Sequence, residues 1–105
     1  MFGNLGEMAK MFQKAKELQG NMKKLKEELA QAEYGASSTG GMVTAVVSGD
    51  FQLKQISIRP EAMDDRESLE GMVFEAVTAA NNAARAAVQE KMADLTGGLN
   101  IPGLF

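Results

Sequence analysis

Cysteine, histidine and tryptophan are all missing from this chain of 105 residues. Their absence excludes disulfides, thiolate nucleophiles, imidazole bases and the commonest zinc ligands together. Catalysis would be left to carboxylates, lysines and hydroxyls. No group of these supports an active site, so neither an enzyme nor a bound metal or cofactor is expected. Long apolar runs are missing too, since none approaches the roughly 20 residues that cross a bilayer. The opening Met1-Phe2-Gly3-Asn4 has no basic stretch leading into an apolar one, as a secretion signal would. The expectation is a cytoplasmic protein with no membrane association and no small-molecule substrate. At this length it forms one domain, with about two-thirds of the unfolded chain's surface buried on folding.

Positive charge is also short. The net charge of −3 is a poor start for nucleic-acid binding, which neutralises phosphates with clustered Lys and Arg. The distribution is uneven, however. Residues 1–32 set six lysines against Glu7, Glu17, Glu27 and Glu28, a net of +2. Residues 33–60 are balanced, and residues 61–105 set eight acids against Arg66, Arg85 and Lys91, a net of −5. Any site for a polyanion would be local.

What the chain does have is periodicity. Met8, Met11, Ala15, Leu18, Met22, Leu25, Leu29 and Ala32 recur with alternating three- and four-residue spacing, the seam of a packing helix. Asn4 with Glu7 offers a cap and Tyr34-Gly35 an end, predicting a helix over 5–32. Tyr34–Ser38, Met42–Ser48 and Phe51–Ile58 have β character, predicting a three-stranded antiparallel meander over 34–58. Gly49-Asp50 is a two-residue hairpin signal. Phe51 and Leu53 alternate out of phase with Ile56 and Ile58, so a bulge is expected near Lys54-Gln55. Arg59-Pro60 stops the last strand. Asp64 with Glu67 reads as a capping box for a second helix over 64–95, its stripe running through Leu69, Val73, Ala76, Ala80, Ala84, Ala87 or Val88, and Met92. Its centre is almost all alanine, so a neighbour can approach closely. Thr96-Gly97-Gly98 ends it, and residues 97–105 read as a flexible apolar tail.

The fold class is therefore α+β, and a dimer is expected. A helix of about 28 residues is about 42 Å long, whereas six-residue strands span only about 20 Å. The overhang would leave seam residues in water unless another surface covers them, and an open three-stranded sheet has two edges that invite pairing. Both point to a C2 dimer, with Met11, Ala15, Leu18, Met22, Leu25, Val43 and Val47 as candidate interface residues.

The order helix, three strands, helix carries Met1-Phe2-Gly3, Gly40-Gly41-Met42-Val43, Ile56-Ser57-Ile58-Arg59-Pro60, Leu69-Glu70-Gly71-Met72-Val73, Glu90-Lys91-Met92 and the tail from Thr96 to Phe105. Together these resemble the YbaB/EbfC family of bacterial nucleoid-associated proteins, over essentially the whole chain. The resemblance implies a tweezer-like homodimer, with the sheet region as body and the long helices as arms. It also implies binding to double-stranded DNA with little or relaxed sequence preference, an influence on nucleoid organisation or gene expression, and a place at the nucleoid.

Candidates for DNA contact are Lys10, Lys14, Lys16, Lys23, Lys24 and Lys26 on the first helix, with Arg85 and Lys91 on the second. Lys23 and Lys24 have Glu27 and Glu28 four residues on, the arrangement of ordinary solvated pairs. Lys10, Lys14, Lys16 and Lys26 lack such a partner. The methionines at seam spacing read as packing residues before they read as an adaptable binding surface. Gly40-Gly41 lacks the phosphate-loop pattern and leads into a strand, so it reads as a turn. Asp64, Asp65 and Glu67 are explained by capping rather than by a metal. Asn81-Asn82 leaves open which of the two is buried. A second function class remains, a protein-interaction adaptor that grips a partner with its long helices and apolar tail.

Overall fold

The computed structural model describes residues 2–95, with side chains from Leu5 onward. The tail over 97–105 lies outside the described residues. Helix α1 (Phe2–Gln31) leads into β1 (Glu33–Ser37), a 3-10 turn (Thr39–Gly41), β2 (Val43–Ser48), β3 (Leu53–Ile58), a second 3-10 turn (Pro60–Asp64) and helix α2 (Arg66–Leu95). The molecule measures 75 × 21 × 16 Å with a radius of gyration of 20.2 Å, where a compact chain of this length has about 13 Å. The excess length is α1, which is about 45 Å long at 1.5 Å per residue. It starts at Phe2, so Asn4 lies inside the helix and does not cap it.

The strands form an antiparallel sheet in the order β1-β2-β3. Its two faces follow from the period of two along each strand. Val43, Ala45 and Val47 point to one face and are buried, beside Tyr34 and Ala36 of β1. Ser37, Thr44 and Ser57 lie on the other, wet face, where the Ser37 and Thr44 hydroxyls share a hydrogen bond of 2.8 Å. The expected bulge is present: Val46 pairs with Gln55 but Val47 pairs with Leu53, so Lys54 is the extra residue. That one-residue slip puts Leu53 on the same face as Ile56 and Ile58, which resolves the phase change in the sequence.

α2 lies across β1 and β2. Ala76, Ala80 and Ala84 are wholly buried against Val43, Ala45 and Val47, because methyl side chains let the helix backbone sit close to the strands. Beyond the sheet the four-residue spacing continues as Val88 and Met92, now larger, and these bury Leu25 and Leu29 of α1. The choice between Ala87 and Val88 thus falls on Val88, with Ala87 half-buried. Asn81 is half-buried and Asn82 exposed.

Three local expectations are corrected. No glycine caps α1; the chain passes almost directly into β1, and the orphan carbonyls of Leu29 and Ala32 accept the amide of Gly49 at 2.9 and 3.2 Å. The β2–β3 connection is longer than two residues: the Ser48 amide donates to the Gln52 carbonyl at 2.9 Å, and Phe51 takes the left-handed backbone at φ 66°. Finally, α2 is capped by Asp65, not Asp64, which sits in the preceding 3-10 turn. The Asp65 carboxylate accepts the amides of Glu67 and Ser68 at 3.1 and 3.3 Å and the Ser68 hydroxyl at 3.0 Å. The Gly40-Gly41 turn is as expected, both residues having positive φ.

A second carboxylate ties the body together. Glu75 of α2 accepts both the amide and the hydroxyl of Thr39 at 2.6 Å. The hydroxyl bond first, and the amide bond next, hold its carboxyl below the usual carboxylate range. A lowered folded-state value means that the stabilisation is complete above the ordinary carboxylate range and is lost as pH falls through the folded value. In thermal melts Glu75→Gln should therefore be less stable than the parent at neutral pH. The gap should close as pH falls through the carboxylate range, and a gap that stays constant with pH would contradict the assignment.

Candidate functional site

Seen from the body outward, the seam of α1 is covered only at its carboxyl-terminal end. Leu25 and Leu29 are buried under Val88 and Met92, with Met22 and Leu95 packed at the rim of that cluster. Beyond Met22, Leu18 is half-buried and Ala15 is exposed. Leu5, Met8, Met11 and Phe12 are then 65–69% exposed. Of the expected interface residues, Met11, Ala15 and Leu18 thus lie on an open face and Met22 at its rim. Leu25, Val43 and Val47 do not: they are spent on the subunit's own core, because α2 covers both the sheet and the near end of α1.

A second open apolar row was not among the sequence candidates. Leu53, Ile56 and Ile58 sit on the α2 side of the sheet, opposite Val47, Ala45 and Val43, yet they are 51%, 39% and 40% exposed. α2 lies over β1 and β2 and leaves β3 bare, and β3 is also an open edge of the sheet. In the sequence this strand has the alternation of a core strand, and nothing local says that no layer covers it. Leu5 and Phe12 were missed because they fall one position off the strict seam spacing.

Lys10, Lys14, Lys16, Lys23, Lys24 and Lys26 are all exposed on α1, and Arg85 is exposed on α2. The Lys16 ammonium stands over the Phe12 ring, 5.2 Å from its centre, a favourable cation–π contact. Among the described residues the one ion pair is Arg66–Glu70 on α2, at 3.7 Å. The expected Lys23–Glu27 and Lys24–Glu28 pairs are therefore open, as exposed pairs commonly are once side-chain entropy is counted. Lys91 is half-buried and shares a cleft between the helices with Lys24, Glu28 and Asp94. There each cation faces acids, which lowers its value for a polyanion.

Six of the eight acids over residues 61–105 lie on the body, Glu90 and Asp94 being on the outer part of α2. Asp65 caps α2, Glu70 holds Arg66 and Glu75 holds Thr39. The lysines project with α1 instead, so the separation of charge read from the sequence is also a separation in space.

These features define a class: an elongated α+β protein in which a small body carries a lysine-bearing helical arm. The profile of the YbaB/EbfC DNA-binding family matches residues 4–99. The chain is 44% identical over 97 residues to a nucleoid-associated protein of Thermoanaerobacter pseudethanolicus, covering 90% of this chain and 87% of that one. It is 40% identical over 113 residues to one of Saccharopolyspora erythraea, covering 97% of each. An uncharacterised Helicobacter pylori protein of known crystal structure has the same fold, with a TM-score of 0.63 at 21% identity over 83% of this chain and 89% of that one. The chain belongs to the YbaB/EbfC family of nucleoid-associated DNA-binding proteins. Among the described residues no helix is long and apolar enough to cross a membrane.

Proposed function

We propose that this protein binds double-stranded DNA as a homodimer in the bacterial cytoplasm, gripping phosphates with relaxed sequence preference and so influencing nucleoid organisation or gene expression. The observation that carries the reading is the placement of six exposed lysines on a helix that projects from the body, away from most of the acids. Lysine ammonium groups on flexible stems suit phosphates, which carry no sequence information; base readout takes side chains held against groove edges. Lys10, Lys14, Lys16 and Lys26 are the principal contacts, with Lys23 next. Lys24, Lys91 and Arg85 contribute less. Two arms on one dimer sum their contacts, since the second arm binds at a high effective concentration. The bare β3 row of Leu53, Ile56 and Ile58, at an open sheet edge, is the body surface that a second copy covers.

The test is a titration of duplex DNA across salt concentrations. Affinity should fall steeply, with a slope of about −0.9 per phosphate neutralised. Lys10, Lys14 and Lys16 changed together to alanine should weaken binding at every sequence alike and flatten that slope by about 3 per arm. Unchanged binding would remove these residues from the interface. The bare apolar surfaces also suit an adaptor that holds another protein. That reading takes over if the folded dimer shows no affinity for DNA at about 0.15 M salt and captures a defined protein partner instead.

A further inference from the structure

The outer end of α1 is complementary to a second copy of itself. The large exposed apolar residues described there fall in two rows: Met8 and Met11 on the seam, and Leu5 and Phe12, seven positions apart, along one flank. The other flank carries Glu7 and Lys14, also seven apart and both exposed. Neither has an ion-pair partner, the one pair among the described residues being Arg66–Glu70. When two such helices pack antiparallel, like flanks meet. With Met8 level with Met11 of the second copy, Leu5 meets Phe12 and Glu7 meets Lys14, each contact occurring twice. Sliding one copy by a heptad in either direction brings like charges together, Lys14 on Lys14 or Glu7 on Glu7. A parallel pair sets Glu7 beside Phe12 instead. One register therefore satisfies both the charges and the apolar surface, and flanking charges are what select register and orientation in paired helices.

We propose that α1 over residues 5–14 is a docking surface for the same stretch of a second molecule, and that it joins one dimer to the next. The inference rests on the homodimer reading above, and geometry keeps the contact out of the dimer itself. An antiparallel overlap centred between Met8 and Met11 puts the two Leu29 residues, where the arms enter their bodies, about 60 Å apart. Two bodies packed side by side through β3 hold those residues much closer, the subunit being only 21 × 16 Å in cross-section. Each dimer has two arms, so the joint repeats along an open chain rather than closing. An overlap of about 15 Å of helix is a small contact. It forms at high protein concentration, or among dimers held side by side on one duplex, where the effective concentration is high. Lys10 and Lys16 lie further round α1, outside both flanks, and stay in water for phosphates, while Lys14 turns to the neighbouring arm.

The test is self-association of the full chain without DNA, followed by sedimentation at low salt from micromolar to several hundred micromolar protein. The parent should grow beyond the dimer as concentration rises. Lys14→Glu sets acid against acid at both ends of the overlap and should weaken that step by at least about tenfold. Glu7→Lys combined with Lys14→Glu should restore it to within about threefold of the parent. Mixed with the parent, the double variant should not join it, since both contacts then lie between like charges. A parent that stays a dimer throughout, leaving the surface to a partner of another kind, would overturn the proposal. So would a Lys14→Glu variant that assembles like the parent, or a double variant that does not recover. Circular dichroism confirms that the variants are folded, both side chains being exposed. Ile56→Lys separates this contact from the β3 joint: its monomers should pair through their arms only at the highest concentrations, stop at two subunits, and depend on Lys14 in the same way. If the parent itself proves monomeric, the dimer reading fails and the arm contact is still read in that monomer-to-pair step.

Discussion

In the homodimer proposed above, replacing Ile56 with lysine should give folded monomers and reduce affinity for duplex DNA by about 10²- to 10⁴-fold, the scale on which a second linked site acts. Ile56 sits opposite Ala45 on the α2 side of the sheet, 39% exposed. Within one subunit a lysine there can swing its ammonium into water, so the fold should survive. Between two subunits the same ammonium would be trapped among Leu53 and Ile58 of both copies, and an unpaired charge without water is strongly unfavourable. Sedimentation at micromolar concentration reads the first effect and a DNA titration at fixed salt the second. Circular dichroism confirms that the variant is folded. If the variant still sediments as a dimer, the β3 row is not the joint. If it becomes a monomer yet binds DNA as tightly as the parent, the two-arm account of affinity fails.

Gly49→Ala should cost about 2 kcal/mol, within the range for forcing a methyl into packed space. For a domain of this size that lowers the melting temperature by roughly 10 °C. The cause is steric, not conformational, since Gly49 is not among the residues with positive φ. A Cβ built there falls 2.5 Å from the Leu29 carbonyl oxygen and 2.9 Å from the Leu29 Cα. Those are backbone atoms of α1 and cannot turn aside. Relief would move the β2–β3 turn away from the helix end and stretch the bonds from the Gly49 amide to the Leu29 and Ala32 carbonyls. Gly35→Ala is the control, because its Cβ would meet nothing closer than 3.8 Å. A Gly49→Ala variant as stable as the Gly35→Ala variant would remove this contact from the account of how the arm is fixed to the body.

These two residues show where the sequence was legible and where it was not. Gly49 was visible as a turn residue, but its actual task, admitting the end of α1, depends on a helix some twenty positions earlier in the chain. Ile56 was visible as a strand residue with an apolar partner row. That its row is bare follows from the width of the sheet against the width of one helix: α2 covers two strands and leaves the third. The same holds for Val43 and Val47. Periodicity shows that they are apolar and inward-facing but not which surface they face, and α2 rather than a second subunit takes them. Asp64 and Asp65 are adjacent carboxylates with equal capping propensity; the 3-10 turn from Pro60 to Asp64 decides for Asp65.

By itself the sequence determined the order of elements, a bulge near Lys54-Gln55, the alanine stripe of α2 and the gathering of lysine in the first third. Each of these is written in neighbouring residues, because helix and strand periods are local and a bulge is a local change of phase. Tertiary structure alone decided how far along α1 the cover extends, that β3 has none, and that most of the acids are held on the body while the lysines project from it. Those outcomes depend on the lengths and crossing of elements far apart in the chain. No short window of residues records them.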